Sequence, residues 1–149
     1  MKVRDIMDPS PDIIRTSDTF EHLIKILNEV KYHVVFVVDK EEKLVGIVTE
    51  GDIIKVLIPK YVAVDESLIS VMDVNYFERK CRESKNLPIN EIMSKVTFMV
   101  GEEDPIIKAA ALMVMNKIQT IPVVRNGKVV GIVPRRTLIK HITKVLKGA

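Results

Sequence analysis

Thr49 and Asp52 are the residues whose types and spacing best suit chemistry on a small molecule. They stand in Gly46-Ile47-Val48-Thr49-Glu50-Gly51-Asp52, where an apolar strand over 44–48 runs into an amphipathic helix. A hydroxyl followed three residues on by a carboxylate has two uses at such a junction. One is structural: Thr49 caps the helix and Asp52 reaches back to the Thr49 N–H, a pattern that contributes about 1 kcal/mol. The other is recognition: a carboxylate in the first helical turn accepts hydrogen bonds from both hydroxyls of a cis-diol such as ribose. Ile47 and the strands beside it would then sandwich a flat base, and basic residues would meet a phosphate. The two uses are compatible, with Thr49 capping while Asp52 turns to the ligand.

Other reactive types are scattered. His22, His33 and His141 show no metal-ligand spacing, and there is no Gly-rich phosphate loop. No nucleophile lies beside an evident base, and Cys81 is the single cysteine. It has no partner for an internal disulfide or a cysteine metal site and reads as an inert thiol. The chain therefore reads as a non-enzyme that requires no metal or cofactor.

The elements that must position Thr49 and Asp52 occur twice. Asp5-Ile6-Met7 matches Glu91-Ile92-Met93, Asp18-Thr19-Phe20 matches Asp104-Pro105-Ile106 and Val37-Val38 matches Val123-Val124, all at an offset of 86. From Lys43 and Lys128 onward the offset is 85, with seven identities in the thirteen positions from Lys43 to Lys55. Each copy predicts a brief strand (13–14; 96–100), a helix, a strand pair and a second helix. Asp18 with Glu21 has capping-box spacing, and Asp104 caps a helix whose first position is Pro105. The strand pairs are 34–38 with 44–48 and 120–124 with 129–133. Asn126-Gly127 predicts a two-residue hairpin, since both residues tolerate positive φ. Lys40-Glu41-Glu42 makes a longer turn and explains the change of offset.

The strands are almost continuously apolar, so both faces of each sheet must be covered. A unit of about 55 residues cannot cover its sheet alone. Two sheets packed together with helices outside can. The expected fold is α/β of the α+β type: two βαββα units packed sheet to sheet with pseudo-two-fold symmetry and a helical insert. The expected divisions are 1–58 for the first unit, 59–88 for the insert, with helices over 66–72 and 76–83, and 89–149 for the second unit.

At 149 residues, 47% apolar and 29% charged, the chain has the composition of a soluble globular protein. Its apolar runs are too short to span a bilayer, and the opening Met1-Lys2-Val3-Arg4-Asp5 leads into no signal core. The expected location is the cytoplasm, with the chain complete. The formal net charge of +3 is uneven: Lys128, Arg135, Arg136, Lys140, Lys144 and Lys147 face no acid after Arg125. The spacing of Arg136, Lys140, Lys144 and Lys147 makes a solvated helix face opposite Leu138, Ile139, Ile142, Val145 and Leu146.

The duplicated unit, the two Ile-Met openings, His33-Val-Val-Phe-Val-Val-Asp39, Gln119-Thr-Ile-Pro-Val-Val-Arg125 and Gly46-Ile-Val-Thr49-Glu-Gly-Asp52 resemble a pair of cystathionine-β-synthase (CBS) domains, a Bateman module. The resemblance covers nearly the whole chain outside 59–88. It implies two pseudo-symmetric units with two clefts between them, and binding of AMP, ADP, ATP, S-adenosylmethionine or a related adenosine compound. It also implies a flat homodimer, control of a separate partner protein, and no catalysis. Thr49 and Asp52 match the ribose-binding pair, and Ile47 and Val48 match strand positions near the base. His33 matches a position near the phosphate; an ordinary surface histidine is the other reading. The opposite repeat's short strand, here Thr97 and Met99, closes that cleft, with Gln119 nearby.

The second copy departs from this pattern. Pro134 stands in place of the hydroxyl and Thr137 in place of the carboxylate. Losing a charge-assisted diol contact costs roughly 1.5–3 kcal/mol, or about tenfold to a hundredfold in affinity. The second cleft, at Ile132, Thr137 and Ile14, is thus expected to bind more weakly; Arg135 and Arg136 either meet phosphates there or lie only on the surface. The alternative function is a dimerisation or protein-interaction module with vestigial pockets. Nucleic-acid binding through 128–147 ranks below both, because no aromatic residues interleave the basic stripe for stacking.

Overall fold

The computed structural model describes residues 1–96 and 98–148. Its elements run β1 (Ile13–Arg15), α1 (Phe20–Leu27), β2 (Val34–Val38), β3 (Leu44–Thr49), α2 (Glu50–Leu57), α3 (Tyr76–Glu83), α4 (Ile106–Asn116), β4 (Thr120–Arg125), β5 (Lys128–Pro134) and α5 (Arg135–Gly148). Between α2 and α3 the chain winds through 3-10 turns at Lys60–Ala63 and Glu66–Val71, the second lying where a helix over 66–72 is expected. This is a mixed α+β fold with one sheet per repeat.

The first sheet has the order β1-β2-β3, with β1 parallel to β2 and β2 antiparallel to β3. The second has β4 antiparallel to β5. Asn126 and Gly127 carry φ of 53° and 79°, the conformation a tight two-residue hairpin needs. The brief strand expected over 96–100 does not form among its described residues; Val100 alone bridges Val123, in parallel. The reason is a missing donor. In the first repeat the Phe36 N–H donates to the Asp12 carbonyl at 2.9 Å, extending the β1 ladder. Proline occupies the equivalent position, Pro122, and has no N–H to give.

Two helix starts also differ from expectation. Thr19, not Asp18, is the N-cap of α1, its hydroxyl accepting from the His22 N–H at 3.4 Å. Asp18 turns back and accepts from the Arg15 N–H at 2.9 Å. Pro105 itself is the cap residue of α4, with extended backbone. Asp104 is spent on the Gly101 N–H at 2.7 Å.

Among the described residues, three apolar clusters hold the molecule. One joins β1–β3, α1 and α2 around Ile14, Leu23, Val35, Val37 and Val48. A second joins α4, β4 and β5 around Ala109, Ile121, Val123 and Val133. The third lies where the sheets meet, with Val34 and Phe36 against Ile132.

The cores do not follow the repeats. Ile89 and Ile92, which open the second repeat, are buried in the first core, and Met93 packs on it. Val3, from the opening of the first repeat, is buried in the second core, and Ile6 and Met7 pack there. Backbone hydrogen bonds fix the exchange symmetrically: Val3 N–H to Asp104 C=O at 2.8 Å, and Ile89 N–H to Asp18 C=O at 3.0 Å. Farther along, Ser94 pairs with Ile47, and Asp8 with Ile132.

The exchange explains why Ile-Met and a strand glycine recur together. A Cβ on Gly46 would run into Met93 Sδ, and one on Gly131 would stand 2.7 Å from Met7 Sδ and 3.1 Å from the Asp8 carbonyl oxygen. Gly131→Ala should therefore lower stability by about 1–3 kcal/mol, since the backbone at Asp8 cannot give way as a side chain can. Gly46→Ala, whose Cβ would meet the Met93 side chain back to its Cβ at 3.1 Å, should lose stability to a similar degree. Denaturant midpoints check this, and an unchanged midpoint for Gly131→Ala would refute it.

Candidate functional site

The start of α2 carries the complete capping box. The Thr49 N–H donates to Asp52 Oδ2 at 2.9 Å, and the Asp52 N–H donates to Thr49 Oγ1 at 3.4 Å. Thr49 Oγ1 also lies 3.2 Å from Asp52 Oδ2, and the Ser94 hydroxyl donates to Oδ1 at 2.8 Å. Asp52 is only 8% exposed, yet both its oxygens are satisfied. Its sequence distance from Ser94 is spanned by the pairing of Ile47 with Ser94, which lays the second repeat's opening segment across the end of β3.

A cleft of about 380 Å³ opens beside Thr49, walled by Ile47 and Gly51 on one side and by Lys117, Gln119 and Thr120 on the other. His33 stands at its edge in the left-handed region, φ 60°, with Nδ1 3.4 Å from Glu50 Oε2. The expected residues Ile47, Thr49, His33 and Gln119 thus share one cavity. Asp52 does not line that cavity. Its side chain faces a larger one of about 550 Å³ on the α3 side, with Ser94, Ser84, Lys55 and Lys80.

Other expected residues lie elsewhere. Val48 is fully buried in the first core, because alternate strand residues point to opposite faces and Ile47 takes the cleft side. Met99 is 45% exposed and lines no described cavity wall, while Thr97 lies outside the described residues.

A pseudo-equivalent cleft of about 400 Å³ lies at the start of α5, where Pro134, Arg135 and Arg136 face Lys31, Tyr32 and His33. Ile132 is buried at the contact between sheets and Ile14 in the first core. Thr137 is half-buried on α5 and lines neither cleft. At this end Asp8 occupies the position that Ser94 holds at the other. It accepts from the Tyr32 hydroxyl at 2.7 Å, and Lys31 Nζ lies 3.5 Å away. Sequence reasoning missed Ser94, Asp8 and Tyr32. The signal was present in part, since Asp8 and Ser94 each directly follow an Ile-Met pair.

A sequence profile of the CBS domain matches residues 3–59 and 89–144, well over half the chain. The chain belongs to the CBS domain family. Its two matched CBS segments bracket the turns and α3. This CBS chain is 27% identical to an uncharacterised protein of Methanocaldococcus jannaschii, over 95% of this chain and 91% of the relative. The CBS domain of a membrane protein from Sphaerobacter thermophilus superposes with a TM-score of 0.73 at 31% identity, covering 94% of this chain and 86% of that one. The CBS domain pair of protein MJ0100, solved in complex with 5′-methylthioadenosine and S-adenosyl-L-methionine, superposes with a TM-score of 0.70 at 25% identity, covering 96% of each chain.

The Asp8–Tyr32 contact has a pH signature. Its hydrogen bond to Asp8, with burial adding, raises the Tyr32 phenol from 10.0 to about 12. The same bond lowers the Asp8 carboxyl, against a smaller opposing effect of burial. The tyrosine's contribution to stability is therefore present below the unfolded value near 10 and is lost as pH rises through about 12. The aspartate's contribution is present above the ordinary carboxylate range and is lost as pH falls through its lowered value. In an ultraviolet titration of the three tyrosines, one should ionise late, and Asp8→Asn should bring it back toward 10. Three coincident titrations would contradict the contact.

Proposed function

We propose that this protein is a non-catalytic regulatory module that binds an adenosine-containing ligand in the cleft between its CBS repeats and transmits its occupancy to a partner protein. The observation that carries this reading is the Thr49–Asp52 pair at the end of β3, with Thr49 on a cleft that Gln119 of the other repeat closes. A buried carboxylate beside a hydroxyl suits a cis-diol, and Ile47 offers an apolar wall for a base. The two adenosine compounds bound by the MJ0100 pair support that chemistry.

Ligand entry has a defined competitor. Asp52 faces away from the Thr49 cleft and Ser94 occupies its Oδ1, so the carboxylate must turn toward the cleft and leave Ser94 to meet a ribose hydroxyl. Ser94 belongs to the segment that runs on from Ile92 and Met93 in the first core. Occupancy of the cleft is thereby coupled to the segment that opens the second repeat, and a ligand shifts the population of arrangements according to its preference between them. The ribose step is tested by Asp52→Asn, which keeps the shape and retains a capping acceptor. Isothermal titration with AMP and with S-adenosylmethionine should show binding to the native protein and a loss of about tenfold to a hundredfold in the variant. Equal affinity in both proteins would reject the assignment of Asp52.

The dimerisation reading has its own observation. α5 buries none of its residues in the chain, and Ile139, Ile142, Val145 and Leu146 are 52–80% exposed. On neighbouring α4, Ile107, Val114 and Met115 are 72–80% exposed. An apolar face of this kind marks an interaction surface, and self-association through it is proposed. Light scattering should give a dimer mass, and Ile142→Glu with Leu146→Glu should give a monomer. A monomeric native protein would count against it.

A further inference from the structure

We propose that the cavity between α2 and α3 is a second small-molecule site, separate from the cleft at Thr49, and that it takes a free α-amino acid with an apolar side chain. The cavity measures about 550 Å³, within the usual range of small-ligand sites. No residue lines both it and the Thr49 cleft, so its occupant is independent of the adenosine reading.

The buried lining is polar. Asp52 and Ser84 are the two buried polar or charged side chains among the described residues, 8% and 5% exposed, and both line this cavity. Ser84 closes α3: its N–H donates to the Lys80 carbonyl and its carbonyl accepts from the Leu87 N–H, both at 3.0 Å. Its hydroxyl has no hydrogen-bond partner among the described residues. No side-chain polar atom sealed from solvent is left without a partner among them, so that hydroxyl opens into the cavity. A buried group of this kind is satisfied by whatever fills the space. Asp52 Oδ1 accepts from the Ser94 hydroxyl at 2.8 Å and retains a second lone pair. A carboxylate and a serine oxygen lining one cavity suit a donor with several N–H bonds, a primary ammonium.

The rest of the lining suits the rest of an amino acid. Lys55 and Lys60, on and just after α2, face Lys80 on α3, and none of the three joins an ion pair among the described residues. They offer charge-assisted donors to a carboxylate. Val56, Leu87 and Ile92 supply an apolar wall. A phosphate or a simple carboxylic acid would meet the buried Asp52 carboxylate with no cation of its own, and Glu83 and Glu91 add to that repulsion. A polyol would leave the lysines and the apolar wall unused.

Titration calorimetry of the whole chain, without nucleotide, tests this with L-valine, L-leucine, L-isoleucine, L-methionine and L-phenylalanine. At least one should bind, at one molecule per chain. The matching acid without the ammonium, and the matching amine without the carboxylate, should each bind about tenfold or more weakly. Ser84→Ala should weaken the amino acid about threefold to tenfold. It should leave the melting temperature of the empty protein unchanged, because the hydroxyl has no partner in the chain. Lys80→Gln should weaken binding about tenfold and carries the test should Ser84→Ala not fold. No binding by any of these amino acids would overturn the proposal, as would native affinity in both variants. Equal binding of an amino acid and its deaminated acid would also overturn it and leave an anion site.

Discussion

The exchange of opening segments between the repeats is the constraint on which the rest of the structure depends. Each repeat's own sheet and helices leave one side of its core open. The segment that opens the other repeat fills it, with Ile89 and Ile92 in the first core and Val3 in the second. Neither repeat can complete its core without the other. The sheets also meet directly, through Val34, Phe36 and Ile132. Apolar burial therefore enforces the two-repeat arrangement, and the clefts follow from it.

The same exchange builds the sites. Because each opening segment continues past its methionine to pair with the last strand of the other repeat, β3 or β5, residues from both repeats meet at each helix start. At one end this brings Ser94 to Asp52; at the other it brings Asp8 beneath Tyr32. The two ends began as copies and have taken different polar chemistry on an unchanged frame. One keeps a hydroxyl and a buried carboxylate. The other has proline, two arginines and a lysine. Such divergence is cheap because the affected side chains sit at helix starts and cleft edges, where they carry little of the cores.

Much of the fold was legible in the residues. Apolar runs marked the central strands of both hairpins, and Asn126-Gly127 marked the tight turn. The repeat offset paired the copies residue by residue. The misses were local competitions. Asp18 has the right type to cap α1, but the Arg15 N–H is a closer donor, so Thr19 takes the role. Pro122 looks like any strand residue at an edge until the lost donor to the preceding segment is counted. Of the site, Thr49, Ile47, His33 and Gln119 were readable from spacing and family resemblance, and they share one cleft. Val48 and Ile14 were misjudged because strand alternation, not proximity in sequence, decides which face a side chain takes.

The sequence by itself determined the duplication, the element order and the capping chemistry of Thr49 with Asp52, since these depend on residues within a few positions of each other. Tertiary structure decided which repeat each core belongs to, that Ser94 satisfies Asp52, and that the two clefts share a wall. Those facts rest on contacts between residues about forty or more positions apart. Periodicity and local spacing carry no information about which distant segment fills an open core face. That choice is made by shape and burial once the chain has closed on itself.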